Sequence, residues 1–221
     1  SIKFTFTKKI TSEFLLDENF WIMSLMNSYI KKIDKNIKSY RFNDAAKNIY
    51  KFTKNIFCDW YLEFIKISFH ANSNNSHQEE IKYCANLVYI NILKLAHPFI
   101  PFSTDDIFVN YLNSPKYLMI TNWPTTNNLK KNNVRLNNIE RLMSLITMLR
   151  NIKASLKIEP KNIINLYYES SKKQNRIFLK KFESYIYFLG RVNVIHDENI
   201  YIKQKNNNFL KFVDNDFIFF I

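Results

Sequence analysis

Three adjacent side chains, Tyr40, Arg41 and Phe42, place a guanidinium group between two aromatic rings. Aromatic rings and guanidinium planes stack on unpaired nucleic-acid bases, and a guanidinium also donates hydrogen bonds to base edges. A structural role is equally open, in which the two rings pack at the start of a helix while Arg41 pairs with Asp44. We refer to Tyr40, Arg41 and Phe42 as the aromatic–arginine triplet, and it is our first candidate for contacting RNA.

A row of positive side chains is the second candidate. Residues 129–161 contain eight Lys and Arg residues against two Asp and Glu residues, and their apolar periodicity predicts a long helix. Four of its basic residues lie within about 60° of one another at 100° per residue. They are Arg135, Arg150, Lys153 and Lys157, here called the basic stripe. Such a stripe suits contacts with phosphate groups, and a solvated helix face is the alternative for any single member.

The overall charge agrees with a polyanionic partner. The 221 residues include 32 Lys and Arg against 19 Asp and Glu, which gives a formal net charge of +13. Nucleic acid is the commonest partner for a field of this sign. A membrane surface is the rival, but no run approaches the roughly 20 apolar residues that a spanning helix needs. We therefore expect a nucleic-acid partner and no membrane partner.

Catalytic and cofactor signatures are missing from the sequence. Gly190 is the only glycine, whereas the G-x-G-x-x-G and Walker A phosphate loops require several. Cys58 and Cys84 are expected to be buried free thiols in a reducing cytosol, and the four His residues share no metal-ligand spacing. Asp59 and Glu63 lie one turn apart, and we expect them to pair with lysines or to anchor a helix junction. No catalytic residue, metal or cofactor is predicted for this chain.

The fold is predicted to be mainly α, with a helical bundle over 1–160 followed by a small α+β appendage over 161–221. Apolar spacing, caps and breakers predict helices over about 17–38, 43–69, 76–95, 103–112 and 133–156. The appendage should begin with a strand over 162–168 and continue with a helix over 172–189, with Gly190 at its C′ position. A strand over 192–195, a turn at 197–199, a strand over 201–205 and a last strand pair complete the prediction.

The second helix was also assigned a core face. At spacings of three and four, the residues expected to be buried are Ala45, Ile49, Phe52, Ile56, Trp60, Phe64 and Ile67.

Four segments follow one another in an order typical of one protein family. They are YRFNDAAKNIYKFTKNIFCDWYLEFIK over 40–66, LAHPFIPFSTDDIF over 95–108, the pair Trp123-Pro124, and LRNIKASLKIEP over 149–160. Together they resemble the anticodon-binding domain of valyl-tRNA synthetases, in which a YRF-x-x-AA-x-x-IY-x-F…FCDWYLE pattern recurs. The chain departs from the family at Lys54-Asn55, where a Trp-Asn pair is usual, and at Lys153, where Arg is commoner.

The resemblance implies an RNA-binding region of a class I synthetase whose catalysis resides elsewhere in the parent polypeptide. The HIGH and KMSKS signatures that bind ATP are absent from this chain, so we expect it to be inactive alone. The implied partners are tRNA(Val), through its anticodon stem-loop, and the catalytic and editing domains of the same polypeptide. ATP with Mg is implied only for the parent enzyme, in the cytoplasm. A stand-alone helical RNA-binding or assembly module and an isoleucyl-type anticodon domain are the alternatives.

Overall fold

Helices form most of the chain described by the computed structural model. The described residues are 14–71, 75–112, 114–169, 173–196, 211–214 and 217–220. They divide into two compact units, 1–136 and 137–221. The predicted turn at 197–199 and strand over 201–205 lie outside the described residues. The division falls within the long helix that contains the basic stripe, so the proposed bundle boundary at residue 160 stays a prediction.

The first unit consists of helices joined by short connections. Its elements are α1 (Asp17–Lys38), α2 (Phe42–Lys51), a π-helical segment (Phe52–Tyr61), α3 (Leu62–Ala71), α4 (Asn75–Ala96), α5 (Pro101–Asp106), a second π-helical segment (Ile107–Tyr111), a 3-10 turn (Leu118–Ile120) and the start of α6 (Asn133–Ser155). Residues such as Trp21, Met23 and Ile33 of α1 are almost completely buried. The helices that the sequence predicted are therefore confirmed.

The second unit combines most of α6 with a small mixed sheet. Its further elements are β1 (Ile164–Glu169), α7 (Lys173–Lys181), α8 (Glu183–Tyr185), a π-helical turn (Ile186–Gly190), β2 (Val192–His196), β3 (Lys211–Asp214) and β4 (Phe217–Phe220). The strand order is β2-β1-β4-β3, with β1 and β2 parallel and the other pairs antiparallel. The chain passes between the parallel strands through α7, α8 and the π-helical turn. The predicted class, a helical bundle with a small α+β part, is confirmed.

The π-helical segment changes which residues of the second predicted helix are buried. Phe52 and Phe57, five residues apart, are both in the core, as are Tyr61 and Phe64. A π-helix accommodates more residues per turn than an α-helix, because its hydrogen bonds span five residues. The inward position therefore passes from Trp60, which is only half-buried, to Tyr61, which is fully buried.

The predicted core face is thus right at four of its seven positions. Ala45, Phe52, Phe64 and Ile67 are buried. Ile49, Ile56 and Trp60 are partly exposed.

Gly190 does not adopt the left-handed conformation that is usual for the predicted C′ position of a helix. Gly190 has no positive φ, and a Cβ built on it would lie 3.6 Å from Leu149 Cδ1, an ordinary van der Waals distance, so neither backbone conformation nor close packing requires glycine here. The left-handed conformation that we assigned to Gly190 belongs instead to Arg191, with φ 54°. Tyr40 and Lys157 also have positive φ, at 57° and 55°. In the described chain, aromatic and basic residues occupy positions at which glycine is usual.

A buried polar network fixes the first turn of α1. The Glu80 carboxylate of α4 accepts hydrogen bonds from the backbone N–H groups of Leu15 and Leu16, at 2.7 and 3.0 Å, and from Asn19 Nδ2 at 2.8 Å. Asn19 Oδ1 in turn accepts from the Tyr61 hydroxyl at 2.8 Å. Helix N-termini have backbone donors without intrahelical partners, and an anion at this end also suits the helix dipole. Glu80 therefore caps α1 from a different helix.

Lys153 fixes the connection between α6 and β1 in the second unit. Its side chain is 2% exposed, and Nζ donates hydrogen bonds to the carbonyl oxygens of Pro160 and Asn162, at 3.0 and 2.6 Å. Burial, and then the positive charge of Arg191, lower the pKa of this amino group. A cation that takes up orphan carbonyls here holds the chain as it turns from the helix into the sheet.

Replacing Glu80 with Ala is expected to lower the free energy of unfolding by about 2–3 kcal/mol, because three donors lose a charged acceptor. Urea denaturation measures this change. Glu79→Ala is the matched control, since Glu79 is the exposed neighbour on the same helix and should change stability by less than about 0.5 kcal/mol. Equal losses in the two variants would show that Glu80 does not cap α1.

Replacing Lys153 with Ala is expected to cost about 2 kcal/mol, since two charged hydrogen bonds are lost. Lys161→Ala is the control, because Lys161 forms an exposed ion pair with Glu159.

The unfolded chain keeps the ordinary lysine pKa at residue 153, so it binds more protons than the folded chain between the lowered pKa and that ordinary value. As pH rises through this window, the free energy of unfolding of the wild type should increase relative to that of the Lys153→Ala variant. A decrease in this difference would contradict burial of a charged amine.

Candidate nucleic-acid interface

The aromatic–arginine triplet lies where α1 ends and α2 begins. Tyr40 N donates to Ile37 O at 3.0 Å, and Arg41 N donates to Asn36 O at 2.8 Å. These two bonds form a Schellman motif, whose C′ residue is left-handed and is usually glycine. Here the C′ residue is Tyr40, with φ 57°. A non-glycine residue in this conformation costs roughly 1–2 kcal/mol, and strained backbone is often retained at functional sites.

Both rings of the triplet lie on the surface. Tyr40 is 83% exposed and Phe42 is 51% exposed. Their ring centroids are 6.2 Å apart at an interplanar angle of 84°, so the two rings meet edge to face. Neither ring is part of the hydrophobic core, although such apolar area is usually buried. Two adjacent aromatic surfaces, oriented nearly at right angles, are therefore available to a flat ligand.

Arg41 forms the ion pair that the structural alternative anticipated. Its Nη2 and Nε atoms lie 2.6 and 2.8 Å from Asp44 Oδ2. The two side chains are 68% and 36% exposed, and ion pairs of this kind contribute only about 0–1 kcal/mol. Such a pair orients the guanidinium without preventing an exchange of Asp44 for another anion. The triplet is thus partly fixed by Asp44 and open to solvent.

Positive charge is concentrated around the triplet. Residues 31–54 contain eight Lys and Arg residues and only two acidic residues, Asp34 and Asp44, which gives a net charge of +6. The eight, all exposed, are Lys31, Lys32, Lys35, Lys38, Arg41, Lys47, Lys51 and Lys54. Over residues 1–70 as a whole the net charge is only +5, because acidic residues outside this segment, such as Asp17 and Glu63, offset its positive charge.

The four members of the basic stripe differ in their local surroundings. Arg135 is in the first unit and the other members are in the second. Arg135 Nε lies 2.6 Å from Asp17 Oδ1, Nη1 donates to Phe14 O at 2.7 Å, and the guanidinium covers the Phe20 ring at 4.9 Å. With its side chain 20% exposed, Arg135 secures the start of α1.

The remaining stripe residues differ from one another in accessibility. Arg150 is exposed, and its Nε and Nη2 atoms donate to Leu189 O at 3.1 and 3.0 Å. Lys153 is buried. Lys157 is exposed at the left-handed position that ends α6, where Lys157 N donates to Ala154 O at 3.0 Å. Exposed cations thus alternate with a structural one along this helix end.

Arg191 joins this group, and sequence reasoning missed it. Its side chain is exposed, it follows the π-helical turn in a left-handed conformation, and its charge acts on Lys153. The only sequence signal was the basic residue next to Gly190, which we had taken as the end of a helix.

Cysteine and carboxylate residues of the kinds used in catalysis have structural roles here. Cys84 is buried, and burial, followed by the charges of Glu80 and Glu18, raises the pKa of its thiol well above the usual value. Asp59 pairs with Lys54 at 2.9 Å, which confirms the expected pairing, as does the Glu63–Lys66 pair at 2.5 Å. No group of His, Cys, Asp and Glu residues suited to a metal ion occurs among the described residues. In the same part of the chain, no helix has the length and apolarity needed to cross a membrane.

The chain matches known proteins over most of its length. A family model described as the anticodon-binding domain of tRNA ligase matches residues 19–168. The valine–tRNA ligase of Pelagibacter ubique is 34% identical over 185 residues, which cover 82% of this chain and 21% of that protein. The valine–tRNA ligase of Francisella tularensis is 32% identical over 180 residues, covering 79% of this chain and 20% of that protein.

A third relative, the valine–tRNA ligase of Buchnera aphidicola, is 30% identical over 200 residues, covering 84% of this chain and 20% of that protein. The chain therefore spans about a fifth of the length of these relatives. The matched residues 19–168 are more than half of the chain and contain the triplet, its basic surroundings and the whole of α6. On this match, the chain belongs to the anticodon-binding domain family of tRNA ligases.

Proposed function

We propose that this chain is the tRNA anticodon-binding region of a valine–tRNA ligase and that it positions tRNA(Val) for aminoacylation elsewhere in the parent polypeptide. The observation that carries the proposal is the exposed edge-to-face pair of Tyr40 and Phe42 within a strongly basic surface. Membership of the anticodon-binding family and the names of the relatives support it.

In this proposal the triplet binds the bases of the anticodon loop. Unpaired loop bases can be splayed out, stacked on aromatic rings and read along their edges. Tyr40 and Phe42 supply two surfaces nearly at right angles, so they suit two bases that have left a common stack. Arg41, held by Asp44, supplies a guanidinium that can donate to a base edge or phosphate. The surrounding lysines add affinity that does not depend on sequence.

In the second unit, we assign phosphate contacts to the exposed cations Arg150, Lys157 and Arg191. Lys153 was predicted to be among them, but its burial and its two carbonyl partners favour a role in holding the end of α6. The contacts of Arg135 with Asp17 and Phe14 likewise favour a structural role. Both residues support RNA binding by maintaining the framework.

The parent protein is proposed to be a cytoplasmic ligase that uses ATP with Mg. The described residues do not suit the nucleotide, since Gly190 is buried against Leu149 and offers no open phosphate loop. Binding of ATP is therefore assigned to parts of the parent beyond this chain. The catalytic and editing domains of the same polypeptide are proposed as its further partners.

Tyr40 gives the sharpest test, because fold and function make opposite demands on it. Tyr40→Gly should leave the free energy of unfolding unchanged or raise it by up to about 1 kcal/mol, since glycine relieves the left-handed strain. The same change, like Phe42→Ala, should weaken binding of a valine tRNA by about 5- to 150-fold through the lost stacking. Fluorescence anisotropy and urea denaturation measure the two effects.

Tyr111→Ala is the matched control, because Tyr111 is 72% exposed on a different part of the same unit. It should leave RNA affinity within about twofold of the wild type. A valine tRNA with a changed anticodon should also bind less tightly to the wild type, and the Tyr40 and Phe42 variants should lose this preference. Stable variants that keep full affinity and full preference would refute base reading by the triplet. An equal preference for isoleucine tRNA would favour the isoleucyl-type alternative.

Lys157→Ala and Arg191→Ala should weaken binding of all tRNAs to a similar extent, because phosphate contacts are blind to sequence. Each variant should also reduce the slope of log K against log salt concentration by about 0.7–0.9, which corresponds to one phosphate contact. Titrations at several salt concentrations measure the slope, with Lys161→Ala as the exposed control near the same helix end. A slope that does not change in either variant would remove the second unit from the interface.

A further inference from the structure

The outer face of α2 carries a second aromatic ring beside two lysines. Tyr50 is 68% exposed, and Lys47 and Lys51 are exposed on the same side of the helix. At 100° per residue, the three positions fall within an arc of about 100° on one side of the helix. We call Lys47, Tyr50 and Lys51 the lysine–tyrosine face.

The carboxylates near the lysines of this face are already paired with other residues. Asp44 is the only acidic residue of α2, and it is already bound to Arg41. The next lysine along the chain, Lys54, is paired with Asp59 at 2.9 Å. Among the described residues, Lys47 and Lys51 form no ion pair. The face therefore combines positive charge with an exposed aromatic ring, and an ion pair within the described part of the chain neutralises neither lysine.

The distance between the aromatic–arginine triplet and the lysine–tyrosine face determines which ligand could contact both surfaces. Phe42 and Tyr50 are eight residues apart, which corresponds to about 12 Å along the helix. Consecutive stacked bases in a duplex strand are about 3.4 Å apart, so one continuous stack of two bases cannot bridge the rings. A single-stranded segment with splayed bases can place one base on each ring while its phosphates follow the helix.

We infer that the lysine–tyrosine face binds a further nucleotide of the same RNA loop, with its base on Tyr50 and flanking phosphates on Lys47 and Lys51. This inference rests on the proposed function and extends the interface along α2. A protein partner is less suited to the face, because one ring beside two lysines provides little apolar area, and lysine is depleted at protein interfaces. Aromatic rings interspersed with cations are typical of single-strand binding.

The test uses the 221-residue chain and the anticodon stem-loop of a valine tRNA. Tyr50→Ala should weaken binding about 5- to 150-fold, whereas Tyr50→Phe, which keeps the ring, should stay within about twofold of the wild type. Lys51→Gln should reduce the salt slope by about 0.7, the value for one contact with a single strand. Thermal unfolding should be unchanged in all three variants, since the side chains are exposed.

Abasic substitution at each loop nucleotide identifies the partner base. At one position, removal of the base should abolish the effect of Tyr50→Ala, and this position should differ from those coupled to Tyr40 and Phe42. If Tyr50→Ala has no effect while the Tyr40 and Phe42 variants lose affinity, the further inference is wrong and the proposed function stands. If the wild-type chain fails to bind the stem-loop, the proposed function itself fails.

Two other outcomes would also overturn the inference. An equal effect of Tyr50→Ala on every abasic RNA would show that Tyr50 does not stack on a base. Loss of association with the rest of the parent polypeptide, at unchanged RNA affinity, would assign the face to a protein contact.

Discussion

The first turn of α1 is the point at which polar contacts join the helices of the first unit. Glu80 caps it from α4, Tyr61 reaches it from the π-helical segment through Asn19, and Ser68 of α3 donates to Glu18. Buried polar groups are costly unless they are paired, so this network tolerates few alternative arrangements. Burial, and then nearby negative charges, raise the pKa of Tyr61 well above its usual value, which keeps its hydroxyl as a neutral donor. The opposite end of α1 presents Tyr40, so the orientation of the triplet depends on this anchor.

Positive charge has two separate uses in the chain. Arg135 and Lys153 are enclosed by carbonyl and carboxylate oxygens and serve the fold. Arg41 forms an exposed pair of small energetic value, and Lys157 and Arg191 are exposed at left-handed positions. Charge that is compensated inside the protein attracts an external polyanion only weakly. The exposed cations therefore determine where RNA is expected to bind.

The sequence predicted the features that repeat over many residues. The long helices and the strand pattern of the second unit were found because their apolar periods are sustained. The burial of Tyr61 in place of Trp60 could not be predicted, since both are aromatic and only the hydrogen-bonding of the helix selects between them. The left-handed conformation was assigned to Gly190 because glycine adopts it most easily, yet Arg191 adopts it instead, and a Cβ at Gly190 would make only an ordinary contact with Leu149.

The candidate site was predicted in the same uneven way. The exposure of Tyr40 and Phe42 could not be derived from the sequence. The same residues are compatible with rings that pack at the start of a helix and with rings that are exposed to a ligand. The triplet was identified by its chemistry, and its orientation required the structure. The basic stripe was predicted from helical periodicity, but periodicity does not reveal which cations are enclosed by neighbouring carbonyls. Lys47 and Lys51 were not predicted as site residues, because acidic residues elsewhere in the first 70 offset the positive charge of residues 31–54.

The π-helical segment also acts as a rotational adjustment between two parts of one long helix. Each residue within it advances the helix by a smaller angle than in an α-helix, so α2 and α3 differ in angular phase from two parts of a regular α-helix. The direction of the lysine–tyrosine face therefore does not determine, by regular α-helical geometry, the direction in which Phe57 and Tyr61 face the core. Substitutions on the outer side of α2 and in the core below the segment are consequently subject to separate constraints. One surface can vary to suit a ligand while the other continues to satisfy packing.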